Sequence, residues 1–249
     1  MGFKHKQKKA QSAVPAKRIH AYIATPAYDG KVQTDYAMAV AESCQLATAM
    51  GINVTVCMMR NAAFIDLARN NFVRLFLETD CTHLFFIDAD LKWEPRAFVG
   101  LLMADKPIVA GVYPKRQDPE EYPCRLAEHK DGGLWVEDGF VMCDRVPTGF
   151  LCIERSVLEK MSAAADKIAA TKVEPENPRL FYTFLNENRS FVGEDYAFCG
   201  DYVKQTGQMI PVWPDFDFIH GERWRGNYHT YLNKLAEAED AEETTSAAA

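Results

Sequence analysis

Long apolar runs are missing from this chain. Nothing in it therefore reads as a membrane span, which needs about 20 consecutive apolar residues. Cysteine is sparse and scattered, at positions 44, 57, 81, 124, 143, 152 and 199, with no C-x-x-C pair. An odd, scattered set argues against a disulfide framework or a zinc site and fits reduced thiols in a cytoplasmic protein. There is no G-x-x-x-x-G-K-[ST] stretch, which argues against a P-loop nucleotide hydrolase. Basic excess is also missing: the net charge is −7 over 249 residues, against a generally nucleic-acid-binding surface. No apolar h-region follows the basic start MGFKHKQKKAQSAVPAKR, so it is not a secretory signal. These absences point to a cytoplasmic protein, or one peripheral to a membrane.

What is present is ordinary globular composition, 48% apolar and 25% charged, enough for a large core without covalent staples. Residues 1–18 read as a disordered basic tail, 19–235 as a single domain, and 236–249 as an acidic tail, disordered or the frayed end of a helix. Apolar patterning predicts a strand over 19–28 that stops at Pro26, a helix over 34–50, a strand over 52–59 and a helix over 64–79. The stripe of that second helix is Ile65, Ala68, Phe72, Leu75 and Phe76. A fully apolar strand follows at 83–88, then a helix opened by Pro95 and a strand over 107–113. Further on come short strands near 134–143, a strand and helix over 146–161, a helix over 193–207 ending at Gly207, and a strand and loop over 208–221. Strand and helix alternation through the first half predicts an α/β layered sandwich with a mostly parallel sheet.

The stretch THLFFIDADLKWEP runs an apolar strand straight into Asp88 and Asp90. Burying like charges without a partner is costly. If the strand stays extended, both carboxylates point to one face and Ala89 to the other. They stand at the carboxyl end of a central strand, where open α/β sheets bind ligands. A divalent cation suits such a pair, Mg²⁺ or Mn²⁺ with oxygen ligands and substrate phosphates. Capping of the next turn by the aspartates is the plain alternative.

THLFFIDADLKWEP with PIVAGVYPKR, the upstream DLARN (66–70) and the later VGEDYAFC (192–199) resembles nucleotide-sugar-dependent glycosyltransferases of the GT-A fold. The likeness is to the inverting group related to family 2 and spans residues 19 to 221. It implies a Rossmann-like α/β/α sandwich with a mostly parallel central sheet and a small antiparallel C-terminal part. It implies transfer of a sugar from a nucleotide-diphosphate donor, of UDP or GDP type, to an acceptor hydroxyl, with inversion. The acceptor would be a glycan, a lipid-linked sugar, a protein or a modified base.

By the same resemblance, Thr25, Pro26, Ala27 and Tyr28 form a loop that holds base and ribose, with Arg69 near the nucleotide. Asp88 contacts ribose or metal, Ala89 lies between the two aspartates, and Asp90 is the main ligand of Mn²⁺ or Mg²⁺. His220 is a further metal ligand. Asp195 is the general base, and Glu194 orients the acceptor. Lys115 and Arg116 face the diphosphate or an anionic acceptor, and Gly149 lets a sugar approach the backbone. The stretch His220-x-x-Arg223-Trp224 resembles the Q-x-x-R-W motif of processive members with His in place of Gln, which argues against a polysaccharide synthase. Trp213, Trp224, Tyr228 and Tyr231 offer faces for sugars or for the core. Two other readings stay open: a nucleotidyltransferase acting on a sugar phosphate, and an inactive GT-A-like binding protein.

Overall fold

The computed structural model describes residues 18–247 except 62, 130 and 170; of the basic tail expected over 1–18, residues 1–17 lie outside the described residues. The chain opens with β1 (His20–Ala27), α1 (Thr34–Ala49), β2 (Asn53–Arg60), α2 (Ile65–Leu77), β3 (His83–Ile87), β4 (Leu91–Trp93), α3 (Pro95–Leu102) and β5 (Ile108–Ala110). It continues through β6 (Arg125–Leu126), β7 (Val136–Glu137), β8 (Phe140–Arg145), β9 (Phe150–Glu154), α4 (Arg155–Ala164), β10 (Lys167–Ile168) and β11 (Asn177–Pro178). It closes with β12 (Phe184–Leu185), β13 (Phe191–Val192), α5 (Glu194–Thr206), β14 (Ile210–Val212), β15 (Asp217–His220), β16 (Trp224–Asn227) and α6 (Tyr228–Ala247).

The central sheet is mixed, ordered β2-β1-β3-β9-β5-β14-β8-β6, with β7 also on β8. Strands β2, β1 and β3 run parallel, and so do β5 and β14. The expectation of a mostly parallel α/β layer holds in strand direction, with two exceptions: β9 lies antiparallel between β3 and β5, and β8 runs antiparallel to β14, β6 and β7. The sheet face alternation separates two cores. Ala21, Ile23, Phe85 and Ile87 face α1 and α3, with Tyr36, Val40 and Phe98. Tyr22, Ala24, Leu84 and Phe86 face α2, α4 and α5, with Phe72, Phe76, Leu158 and Phe198.

Local signals explain the element ends. Pro95 opens α3, where its missing N–H is harmless. Gly207 closes α5 in the left-handed conformation, at φ 70, which glycine adopts without steric cost. Of the two readings of the acidic stretch over 236–249, its described residues take the helical one: α6 continues through Ala247. Ala and Glu are strong helix formers, so the composition that suggests a solvated tail also extends a helix.

Candidate active site

Three strand ends meet at one edge of the sheet. Ala27 ends β1's pairing opposite Arg60, Asp88 follows β3, and Gly149 precedes the antiparallel β9. Beside them Pro26 and Asp88 border a cavity of about 620 Å³, lined also by Tyr28, Arg69, Asp90, Arg116 and His220.

The strand does not carry the two aspartates in extended form. β3 stops at Ile87, and the chain turns through 88–90 before β4. Asp88 N–H is held by Gly149 O at 2.9 Å, Asp88 O accepts from Leu91 N–H at 3.3 Å, and Ala89 O accepts from Gln33 N–H at 3.0 Å. The turn still leaves both carboxylates on the cavity, each 27% exposed.

Their charge is compensated in large part by the chain itself. Arg69, on α2, is 6% exposed and donates to Asp88 at 3.3 Å and to Glu194 at 2.7 Å. Burial opposes its charge, and Asp88 and Glu194 outweigh that and hold the guanidinium protonated. Tyr113 O–H donates to the other oxygen of Asp88 at 3.2 Å; burial keeps this phenol neutral, far above its ordinary range. Asp90 is paired with Arg116.

His220 arrives from a distant part of the chain through strand pairing. β15 pairs antiparallel with β4, opposing His220 to Leu91, and Gly221 N–H donates to Asp90 O at 2.8 Å. The imidazole Nδ1 lies 2.8 Å from Pro114 O. A carbonyl only accepts, so Nδ1 carries the proton. Burial lowers the pKa of His220, which favours the neutral ring, and Nε2 then presents a bare lone pair 3.8 Å from Asp90 Oδ2.

Asp195 lies in the first turn of α5 and accepts from Tyr196 N–H at 2.8 Å. Burial, then the neighbouring Glu194, pushes its carboxyl above the usual range, while Arg69 pulls it back. A carboxylate poised above its ordinary range is a better proton acceptor near neutrality.

Several expected roles change. Thr25 is fully buried, bonded to Tyr36 O–H, and Ala27 is buried in β1. The strand runs through Pro26, so of the four expected loop residues Pro26 and Tyr28 line the cavity and Thr25 and Ala27 do not. Lys115 turns away to pair with Glu121; its neighbour Arg116, where the chain bends, takes the cavity. Glu194 is engaged by Arg69 rather than open to an acceptor. Gly149 admits the protein's own side chains: a Cβ there would collide with Tyr113 O–H and lie 2.7 Å from Asp88 Cγ. The late aromatics divide. Trp213 packs on Phe140 and Phe216, Tyr228 and Tyr231 pack with Tyr122, and Trp224 lies under Arg223.

Sequence reasoning missed Tyr113 and Asn70. Asn70 is fully buried. It accepts from Leu180 N–H at 2.8 Å and Phe181 N–H at 2.9 Å, and donates to Phe181 O at 2.6 Å. Phe181 stacks on Phe198 of α5 with centroids 4.5 Å apart. The DLARN segment thus pins Leu180 and Phe181 beside the helix that begins with Glu194 and Asp195. A polar pair inside an apolar helical stripe was the available signal.

No family model and no curated protein matches the chain. Among solved structures, the inositol-1-phosphate CTP transferase from T. maritima aligns over 83% of this chain and 91% of its own, at 13% identity and a TM-score of 0.41. A likeness that distant carries no conclusion about chemistry.

Proposed function

We propose that this chain is a metal-dependent GT-A glycosyltransferase that moves a sugar from a nucleoside diphosphate to an acceptor hydroxyl with inversion. The observation that carries the reading is the meeting of His220 Nε2 and Asp90 Oδ2 at 3.8 Å. Arg116 meets the same Asp90 oxygen from one side, and the imidazole lone pair beside it adds a second donor that suits a metal cation. The Nδ1 bond to Pro114 O fixes the ring as metal-ligating histidines are fixed.

The donor set, carboxylate oxygens and one imidazole, fits Mn²⁺ or Mg²⁺ held by Asp90, Asp88 and His220. When bound, such an ion stabilises charge growing on the departing diphosphate. Arg116, beside Asp90, adds a fixed positive charge to the same wall. Asp195 takes the acceptor proton as the acceptor oxygen bonds to the anomeric carbon and the bond from that carbon to the diphosphate breaks. Arg69 holds Asp88 and Glu194 together, and Glu194 shapes the site of the base through that bridge.

Thermal unfolding with nucleotides tests the reading. UDP or GDP is expected to raise the melting temperature only with Mn²⁺ or Mg²⁺, and Asp90→Asn is expected to remove the effect. Asp195→Asn is expected to keep nucleotide binding and slow transfer by about 10²–10⁴-fold. Release of pyrophosphate from a nucleoside triphosphate and a sugar phosphate would replace this reading with a nucleotidyltransferase. An Asp195→Asn enzyme with near-normal transfer would remove the base from the mechanism.

A further inference from the structure

At the far end of β1 from the cavity, three chemically unlike side chains converge. His20 is the first residue of β1, and Asp80 and Cys81 lie just before β3. One ligand atom from each falls within 4.8 Å of the others. The position is six residues along β1 from Pro26, about 20 Å at strand rise, so it is separate from Asp90 and His220.

The arrangement is built on fixed backbone. Thr82 N–H donates to His20 O at 2.8 Å, and His20 N–H donates to Thr82 Oγ1 at 2.9 Å. Arg155 donates to the carbonyls of Cys81 and Thr79 at 2.7 Å each. The loop that carries Asp80 and Cys81 is thereby clamped against the start of β1. The ring is oriented too: His20 Nε2 lies 2.9 Å from Thr55 Oγ1, while Nδ1 faces Asp80 Oδ1 at 3.5 Å. Thr55 Oγ1 is also 3.9 Å from Cys81 Sγ. In the metal-bound tautomer Nε2–H donates to the hydroxyl, and Nδ1 turns its lone pair to a cation shared with the carboxylate, as outer-shell partners orient metal-bound histidines.

We propose that His20 Nδ1, Asp80 and Cys81 bind a borderline-soft divalent cation, Zn²⁺ by preference, that ties the start of β1 to the α2–β3 turn. Thiolate, imidazole and carboxylate together select Zn²⁺ or Co²⁺ over Mg²⁺ and Mn²⁺. Water completes the tetrahedron on the solvent side, where Asp80 is 93% exposed. Binding releases the Cys81 thiol proton to solvent. The site holds the fold at the edge away from the cavity and takes no part in sugar transfer.

Cobalt is the probe that separates this site from the other, because no thiolate lies among Asp88, Asp90 and His220. Titration of the metal-free full chain with Co²⁺ is expected to produce a thiolate-to-cobalt charge-transfer absorption that saturates at one equivalent and is displaced by Zn²⁺. Asp90→Asn is expected to leave that band intact, and Cys81→Ser to abolish it. Asp80→Ala, at an exposed position that folding tolerates, is expected to weaken Co²⁺ binding by at least about ten-fold. His20→Gln is expected to weaken it comparably. The proposal is overturned if no charge-transfer band forms, if Asp80→Ala leaves the affinity unchanged, or if the band survives Cys81→Ser and is lost instead with the neighbouring thiol in Cys57→Ser.

Discussion

The two halves of helix α2 each depend on one arginine, and the two arginines meet opposite chemistry. In the first half, Arg69 projects from the helix to the carboxylates of Asp88 and Glu194 and is 6% exposed. At the carboxyl end, Arg155 comes from α4 and donates to the carbonyls of Phe76, Leu77, Thr79 and Cys81. Its guanidinium lies 4.6 Å from the Phe76 ring centroid, and its side chain is 23% exposed. One arginine compensates net charge in a buried place. The other satisfies the orphan acceptors of a helix end. Neutral carbonyls beside solvent lose less with their donor than carboxylates that share one buried guanidinium. The electrostatic stake is therefore concentrated at the cavity end, where substrate is expected.

Arg69→Met is the sharpest way to break that contrast. It leaves Asp88 and Glu194 close together without their shared cation. Removing one partner of a buried ionic set costs about 3–5 kcal/mol. Urea unfolding is expected to show a loss of that size, with nucleotide binding reduced as Asp88 shifts. Arg155→Met is expected to cost less, about 1.5–3 kcal/mol, since its acceptors are carbonyls beside solvent. Nucleotide binding should be retained in that variant. If Arg155→Met proves the more damaging change, the account of the two ends is reversed.

Much of this arrangement was legible because it is local. The run of Leu84 to Ile87 into Asp88 and Asp90 marks a buried strand ending in acid, and the structure has β3 there with both carboxylates on the cavity. Gly193-Glu194-Asp195 marks a helix start, and α5 begins at Glu194. What was hidden depends on pairing between distant segments. The apolar run Phe150–Ile153 reads the same in either direction, so its antiparallel insertion between β3 and β5 leaves no local trace. Which of Lys115 and Arg116 reaches the cavity depends on the bend at Arg116 and on Glu121, which takes Lys115. Pro26 looks like a strand end, yet β1 passes through it, because a strand tolerates proline where its missing N–H is not needed. The neutralisation of Asp88 required a helix residue to be buried with its charge, and the stripe of α2 gave Arg69 only a flanking place.

The smallest effect is the most selective test of the two arginines. Asp195 has its carboxyl raised by burial and by Glu194 and lowered by Arg69. In the proposed role as base Asp195 must be ionised, so the proposed transfer is expected to fall as pH drops through a midpoint above the ordinary carboxylate range. The same shift has a stability consequence of fixed sign. A carboxyl whose folded pKa is raised favours the folded state while protonated, and that contribution is lost as pH rises through the folded value. Arg69→Met removes the opposing cation and is expected to move the acidic limb of the rate profile to higher pH. Arg155→Met touches no group near Asp195 and is expected to leave the limb in place. Measuring the limb in both variants separates charge from scaffold even if their unfolding energies overlap. A limb that moves equally in the two would mean that α2 positions Asp195 mechanically and that the charge of Arg69 is incidental to the base.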